Sequence, residues 1–378
     1  MMMAQKSIKF LLTLTIALFS VVTFAQHEEN HEAKEGTHAT SGNQVDTPDE
    51  ITEYIKHHLQ DSHDFHFYTD NKTNTHYGFS LPVIVWTSKG LRTFMSSAFH
   101  HNDDGHVLVE KDGVTLTKIH SKIYELNAGA TAVAFDKAHH ATNAAKVLDF
   151  SITKSVVGML LAGLLMILGF SSLARGYKKG AIPTGFARVL EPLVIYVRDD
   201  IARPNIGEKK YRKFMGFLLT VFFFIWILNL LGLTPLGFNV TGNIAVTACL
   251  AIFTVVIYMC SGTKDFWAHT LWMPGVPVIL RPVLAVIELV GFVVIKPFSL
   301  LVRLFANITA GHFVVMSLIA LMITMKEAFG TVGATGMSVV LTLFIMVIEI
   351  LVAFLQAFIF TMLSSLFIGM AVEEHDDH

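Results

Sequence analysis

Apolar and polar positions divide this chain of 378 residues in two. From about residue 150 onward it is a series of apolar runs, at about 152–174, 214–234, 243–262, 276–325 and 337–371. Each has about the 20 residues a helix needs to cross a bilayer, or more. The run 276–325 is interrupted by Pro277, Pro282 and Pro297. It reads as one steeply tilted element kinked at Pro297 rather than as two spans. A straight helix over 337–371 would be ~52 Å long against a ~30 Å hydrocarbon core, so it must tilt as well. Before residue 150 the pattern changes. HDFHFYTD, FSLPVIVWTS, LRTFMSSAFHH, HVLVEKDGVTLTKI and SKIYELN have strand-type composition, and KDG reads as a hairpin turn. A short helix is expected over 51–60 and an Ala- and His-rich linker over 128–149. The expected fold is an all-α membrane protein of about five crossing helices, two of them long and tilted, preceded by a small β-rich module.

Composition agrees with this division. The chain is 53% hydrophobic and only 15% charged, with a mean hydropathy of +0.54, too apolar for an ordinary soluble domain. Fourteen of its 18 histidines lie before residue 141. Lys6 and Lys9, the apolar stretch Phe10–Phe24 and then Ala25 read as a secretory signal, 1–25, cleaved after Ala25. Residues 26–150 are then a His-rich module and linker outside the inner membrane of a bacterium. The membrane domain is 151–372, followed by an acidic cytoplasmic tail, 373–378. The loop 175–213 carries a basic excess, including Arg175, Lys178, Lys179, Arg198 and Lys210, which marks it as cytoplasmic. Within it, VLEPLVIYVRDDI has an apolar and a charged face and is expected on the membrane surface. Cys249 and Cys260 would sit ~16 Å apart along one helix, too far for a disulfide, and are expected to be packing residues. A net charge of −2 gives no ground for a nucleic-acid partner.

The chemistry to be explained is polar groups inside apolar runs. Arg303 is far from either end of its run, and an arginine at mid-bilayer costs from ~3 to more than 10 kcal/mol. Snorkelling to an interface is the plain alternative. Ser299, Arg303 and Asn307 share a helix face at i, i+4 and i+8. His312, nine positions beyond Arg303, points to the opposite side, ~13 Å along the axis. In the last run Glu349 and Gln356 are seven apart, on one face. Glu349 is either satisfied by a structural hydrogen bond or paired with His312 as a proton relay, since histidine titrates near neutrality and a buried carboxyl moves toward it. Asn239 and Asn243 are candidate lining of a water-filled entrance, or turn residues. Glu288 is a further candidate, or a partner for Arg281 or Lys296.

Four stretches in order resemble subunit a of the F-type ATP synthase: LEPLVIYVRDDIARPNIGEKKYRKF, LLTVFFFIWILNLLGLTP, KPFSLLVRLFANITAGH and LQAFIFTMLSSLFIGMAVEEH. The resemblance covers roughly residues 150–375. It puts the family's arginine at Arg303, the accompanying asparagine at Asn307, the nearby glutamine at Gln356, and the acid/histidine pair of the inlet at Glu349 and His312. A position often aspartate in the family is Asn243 here, so it cannot titrate. Glu288 is one residue off the family's spacing from Arg303. The resemblance implies a non-catalytic, proton-translocating subunit of the inner membrane. Its partners would be a c-ring, peripheral stalk b subunits, the other ATP synthase subunits and membrane lipid, with no cofactor. No GxxxxGK[ST] phosphate loop is present, so ATP chemistry belongs to other chains.

The resemblance says nothing about residues 26–150. No metal centre is expected there. The histidines that would hold one are His63, His66, His100 and His101, against a solvated surface or a pH-responsive patch. Two rival readings of the whole chain are a proton-coupled secondary transporter, for which no inverted repeat is visible, and a membrane-anchored sensor, which leaves Arg303, His312 and Glu349 unexplained.

Overall fold

The computed structural model describes residues 51–373 except 53–54, 56–58, 71–74, 101, 128, 137–140, 180–184, 186, 235–236, 273–276 and 278. The expected signal 1–25, the leader 26–50 and residues 374–378 of the acidic tail lie outside the described residues. Of the expected helix over 51–60, the described positions Ile51, Thr52, Ile55 and Leu59 are helical.

The β-rich front end is as expected. β1 (Asp64–Asp70) and β2 (Thr75–Ser80) form a hairpin. β3 (Pro82–Thr87) lies between β4 (Gly90–Met95) and β9 (Leu148–Asp149). β5 (Asp104–Lys111), β6 (Val114–Ile119), β7 (Lys122–Leu126) and β8 (Ala144–Lys146) form a four-stranded antiparallel sheet in that order. Side-chain alternation decides what is buried: Val83 and Val85 of β3 point inward and pack with Phe99, Val109, Leu116 and Ile123. The expected turn between β5 and β6 is present, with Asp112 and Gly113 both at positive φ, 49° and 75°. The stretch expected as a linker ends in β8 and β9. Each is too short to read from composition and exists because it completes an edge, β8 on β7 and β9 on β3.

The helical part runs α1 (Lys154–Lys179), α2 (Ala187–Tyr196), α3 (Arg203–Ile206), α4 (Tyr211–Gly232), α5 (Ile244–Ser261), α6 (Lys264–Leu271), α7 (Arg281–Val290), α8 (Lys296–Thr324) and α9 (Lys326–Val372). Among the described residues five helices are long and apolar enough to cross a membrane: α1, α4, α5, the tract Arg281–Thr324 and α9. This is the expected multi-pass membrane protein. Cys249 and Cys260 are unpaired on α5 and exposed on its outer side, not packed inside as expected.

Two π-helical segments were invisible to periodicity. Each is followed by a helix whose second residue is proline: Val197–Ala202 by Pro204, and Gly291–Ile295 by Pro297. In the second, the Lys296 N–H donates to Gly291 O, one residue further back than in an α-helix. That frees the Phe292 carbonyl, which accepts from the buried Tyr258 hydroxyl. The tract Arg281–Thr324 is therefore one element, as expected, with its irregularity just upstream of Pro297. α9 also starts earlier than expected. Gly330 interrupts it at φ 68°, ψ 167°, a conformation that only glycine adopts without strain. Residues after it stay helical although rich in glycine and threonine, because Ala334 and Ser338 are buried and the Ser338 hydroxyl bonds Leu318 O (2.5 Å).

The segment VLEPLVIYVRDDI does not lie free on a surface. Leu190, Val197 and Ile201 join the main core with Phe222 and Phe360, and Ile201 O accepts from the Ser365 hydroxyl (3.0 Å). Its charges stay outside: Arg198 holds Asp199 through two hydrogen bonds (2.9 and 2.8 Å), and Arg203 donates to the same carboxylate (2.7 Å).

The strands and the membrane helices share contacts. Asp61 accepts from the Ser155 N–H (3.0 Å) and the Thr153 hydroxyl (2.9 Å), capping the start of α1 from a distant part of the chain. Phe65 of β1 packs edge-on to Phe238, centroids 5.4 Å apart, in a cluster with Ala162, Leu228 and Val240.

Candidate functional site

α8 buries Leu300, Leu304, Ile308 and Gly311, one stripe at spacings of four, four and three. Facing it, α9 buries Ala353, Gln356, Ala357 and Phe360. Small residues at this seam let the two helices approach closely. Of the polar candidates Gln356 lies within the seam and Asn307 and Glu349 along its edge.

A cavity opens at the seam, lined by Asn307 and Leu304 of α8, Glu349 and Gln356 of α9, and Asn229 and Leu233 from the end of α4. The structure thus brings Asn307 of α8 together with Glu349 and Gln356 of α9, more than forty residues away in sequence. Gln356 is buried; Glu349 is half-buried and Asn307 exposed. The Glu349 carboxylate rests against Gly311. A Cβ at that position would come within 2.5 Å of Oε2, so the absence of a side chain on Gly311 is what admits the carboxylate. His312 follows Gly311 but turns toward α4, where its Nε2 would lie 3.2 Å from a Cβ on Gly232. That nitrogen is buried and without a hydrogen-bond partner among the described residues. Glu349 and His312 therefore flank the same turn of α8 from two sides.

Arg303 does not line the cavity. It lies one turn before Asn307 on the same face, half-buried, with no ion-pair partner among the described residues. Ser299, one turn earlier, is exposed. This face of α8, with Phe298 and Val302 beside it, is uncovered in the single chain.

The remaining candidates are placed elsewhere. Asn243 caps α5, accepting from the Ala245 N–H (3.0 Å), and its amide donates to Asp61 Oδ2 (3.4 Å). Asn239 donates to Leu59 O (3.0 Å). Both tie the α4–α5 turn to the front end, which is their turn-residue reading. Glu288 is half-buried on α7. Lys296 extends over the Phe292 ring, 3.2 Å from its centroid, and Arg281 over Trp272, 5.0 Å. His63 is buried, its Nε2 2.9 Å from Asp149 Oδ2, a role in the fold. His100 ends a 3-10 turn in the left-handed conformation. The side chain of His66 and the whole of His101 lie outside what is described.

Asn229 was missed. It is fully buried, accepts from the Thr241 hydroxyl (2.9 Å) and donates to Ala353 O (3.5 Å), tying α4 to the outer turn and to α9. A lone asparagine in the apolar run IWILNLLG was the available signal. Gly232 and Gly311 carried no such signal, since their role is to leave space.

Comparison with known proteins places this geometry. Residues 156–369, more than half of the chain and all of the α8–α9 seam up to Gly369, match the family described as ATP synthase A chain. Residues 54–150 match a family described as a domain of unknown function. The chain is 45% identical over 238 residues to ATP synthase subunit a of Chloroherpeton thalassium, covering 61% of this chain and 69% of that protein. It is 43% identical to ATP synthase subunit a 2 of Chlorobaculum tepidum (61% and 66%) and 45% identical to ATP synthase subunit a of Chlorobium phaeobacteroides strain BS1 (61% and 68%). With its crossing helices and polar seam inside the matched residues, the chain belongs to the ATP synthase A chain family.

Proposed function

We propose that this chain is the stator subunit that forms two proton half-channels against a rotating c-ring and couples proton flow to rotation. The observation that supports it most is the pairing of a small, largely apolar cavity, into which Asn229, Asn307, Glu349 and Gln356 bring polar groups, with a half-buried Arg303 one helical turn away on an uncovered face, without an ion-pair partner among the described residues. A ring carboxylate facing lipid must carry its proton, because a bare charge there is too costly. Opposite Arg303 the ionised form is favoured and the proton leaves. Rotation brings the emptied site to the other half-channel, where it is refilled. Arginine suits this post because it does not deprotonate, whereas lysine would offer protons a direct route across. Glu349 and His312 serve the extracytoplasmic half-channel, with Asn307, Asn229 and Gln356 ordering the path. The cation holds the two half-channels apart.

In this reading 1–25 is a secretory signal, 26–150 a periplasmic module, 151–372 the inner-membrane domain and 373–378 a cytoplasmic tail. The chain holds no catalytic site of its own and assembles with the c-ring, the stalk b subunits and the remaining subunits of the synthase. Membership of the ATP synthase A chain family favours this reading over the transporter and the sensor. Arg303→Ala should abolish proton-driven ATP synthesis in membranes while the detached head still hydrolyses ATP. Normal coupled synthesis by that variant would refute the role.

A further inference from the structure

An antiparallel sheet with one face on a core ordinarily turns a polar face to water. The sheet β4–β3–β9 does not. Its inner face is the core pair Val83 and Val85. Its outer face centres on Trp86, which is paired with Leu91 of β4 on one side and Leu148 of β9 on the other. Directly paired residues point to the same face, so the three side chains form one row across the sheet. They are 56%, 49% and 66% exposed, and Phe150, two positions beyond Leu148, is 64% exposed. Beyond this row the face carries the pair Ile84 and Thr93 and then, at the other end of the strands, Met95 paired with Pro82. A contiguous apolar surface of this kind marks an interaction site.

The chain itself indicates what covers it. Phe150 bonds β3 through its N–H to Ile84 O, and Ile152 does the same to Pro82 O, two residues before α1 begins at Lys154. The apolar face therefore runs on into a membrane-crossing helix whose own outer side, Leu160, Leu164, Ile167 and Leu168, is exposed and apolar. Phe65 packs beside Phe238 in a cluster with Ala162, two turns into that helix, which seats the strands low against the bundle. Tryptophan and phenylalanine with an exposed lysine, Lys146, at the rim are the side chains that settle at a bilayer surface.

We propose that the outer face of the β4–β3–β9 sheet docks on the bilayer, in the leaflet where α1 begins, through Trp86, Leu91, Leu148 and Phe150. The front end is then a membrane-surface domain and not a free extramembrane appendage. This holds whether or not the half-channel reading does, since it needs only that α1 cross the membrane.

The test uses the assembled complex in vesicles of phosphatidylcholine and phosphatidylglycerol, with Cys249 and Cys260 replaced by alanine. A nitroxide is attached at Leu91→Cys and, as control, at Glu110→Cys on the opposite sheet. Docking predicts that the label at 91 collides with oxygen, which concentrates in lipid, and is shielded from a water-soluble nickel chelate by at least several-fold relative to 110. Equal access of the chelate to both positions would overturn the proposal. So would exclusion of both reagents from 91, which would mean that a protein surface, another subunit or residues 1–50 covers the face. Quenching by brominated phospholipid, compared between the unlabelled wild type and Trp86→Phe, gives an independent answer. Loss of a lipid-quenched component in the variant supports docking, and identical quenching contradicts it.

Discussion

The carboxylate of Glu349 occupies the space that a side chain on Gly311 would fill, one residue before His312. An acid from α9 is thus held against the histidine's own turn of α8 by the absence of a Cβ.

Gly311→Ala tests this relationship. The new methyl would meet Glu349 Oε2 at 2.5 Å, closer than any real contact, and the flexible carboxylate is the group that can move. The helices should stay assembled while the acid is displaced. Proton-driven synthesis should fall about tenfold with normal complex yield, and Glu349→Asp, one methylene shorter, should restore part of it. Full activity in Gly311→Ala would show that the position of the carboxylate is unimportant.

Asn229→Ala should destabilise the complex. It strands the buried Thr241 hydroxyl, and leaving a buried polar group unsatisfied costs about 1–3 kcal/mol, while the Ala353 carbonyl, inside α9, loses only its added contact and keeps its helical partner. Asn229→Asp keeps the acceptor for Thr241 and should cost less at that bond. Thermal inactivation of the purified complex measures both; an unchanged midpoint in Asn229→Ala would remove Asn229 from the framework of the cavity.

Asp61→Ala should loosen the front end from the membrane helices. It removes the acceptor shared by Ser155, Thr153 and Asn243. Loss of a helix cap costs about 0.5–2 kcal/mol. Limited proteolysis should cut near residues 59–62 faster in the variant, and an unaltered rate would show that the remaining contacts, among them Phe65–Phe238 and Asn239–Leu59 O, hold the joint without Asp61.

These residues also mark where sequence reading stops. The five crossing helices, the strand-rich front end and the KDG turn were legible, because burial in lipid and strand pairing leave periodic or compositional traces; Arg303, Asn307, Glu349 and Gln356 were legible as polar residues in apolar runs, and their roles belong to the proposal. Asn229 was legible as an oddity, without a role. Gly311 and Gly232 were not legible at all, since what they admit comes from another helix. The π segments before Pro204 and Pro297 break a period without altering composition, and β8 and β9 are strands only because a neighbour offers an edge. VLEPLVIYVRDDI was amphipathic as read, but its apolar face meets protein.

Acid should weaken the front end through Asp149. Burial pushes its carboxyl up, but hydrogen bonds with His63 and Ser151 outweigh this and hold it below its ordinary value of 3.8. A depressed carboxyl stabilises the fold in full above its ordinary range and loses that contribution as pH falls through the lowered value. Hydrogen exchange in β3 and β9 should therefore accelerate on acidification below about pH 4 in the wild type. Asp149→Asn should be less protected at neutral pH and should lack this acid limb. The same acid dependence in both would assign it to other carboxyls.

The central claim is that Arg303 keeps the two half-channels apart, and proton conduction through a stalled rotor tests it most directly. The membrane part of the complex, reconstituted in vesicles with its c-ring cross-linked to the stator, is given a pH gradient. The wild type should hold the gradient, while Arg303→Ala should let protons pass without rotation. If Arg303→Ala with a locked ring is as tight as the wild type, the arginine is not the barrier.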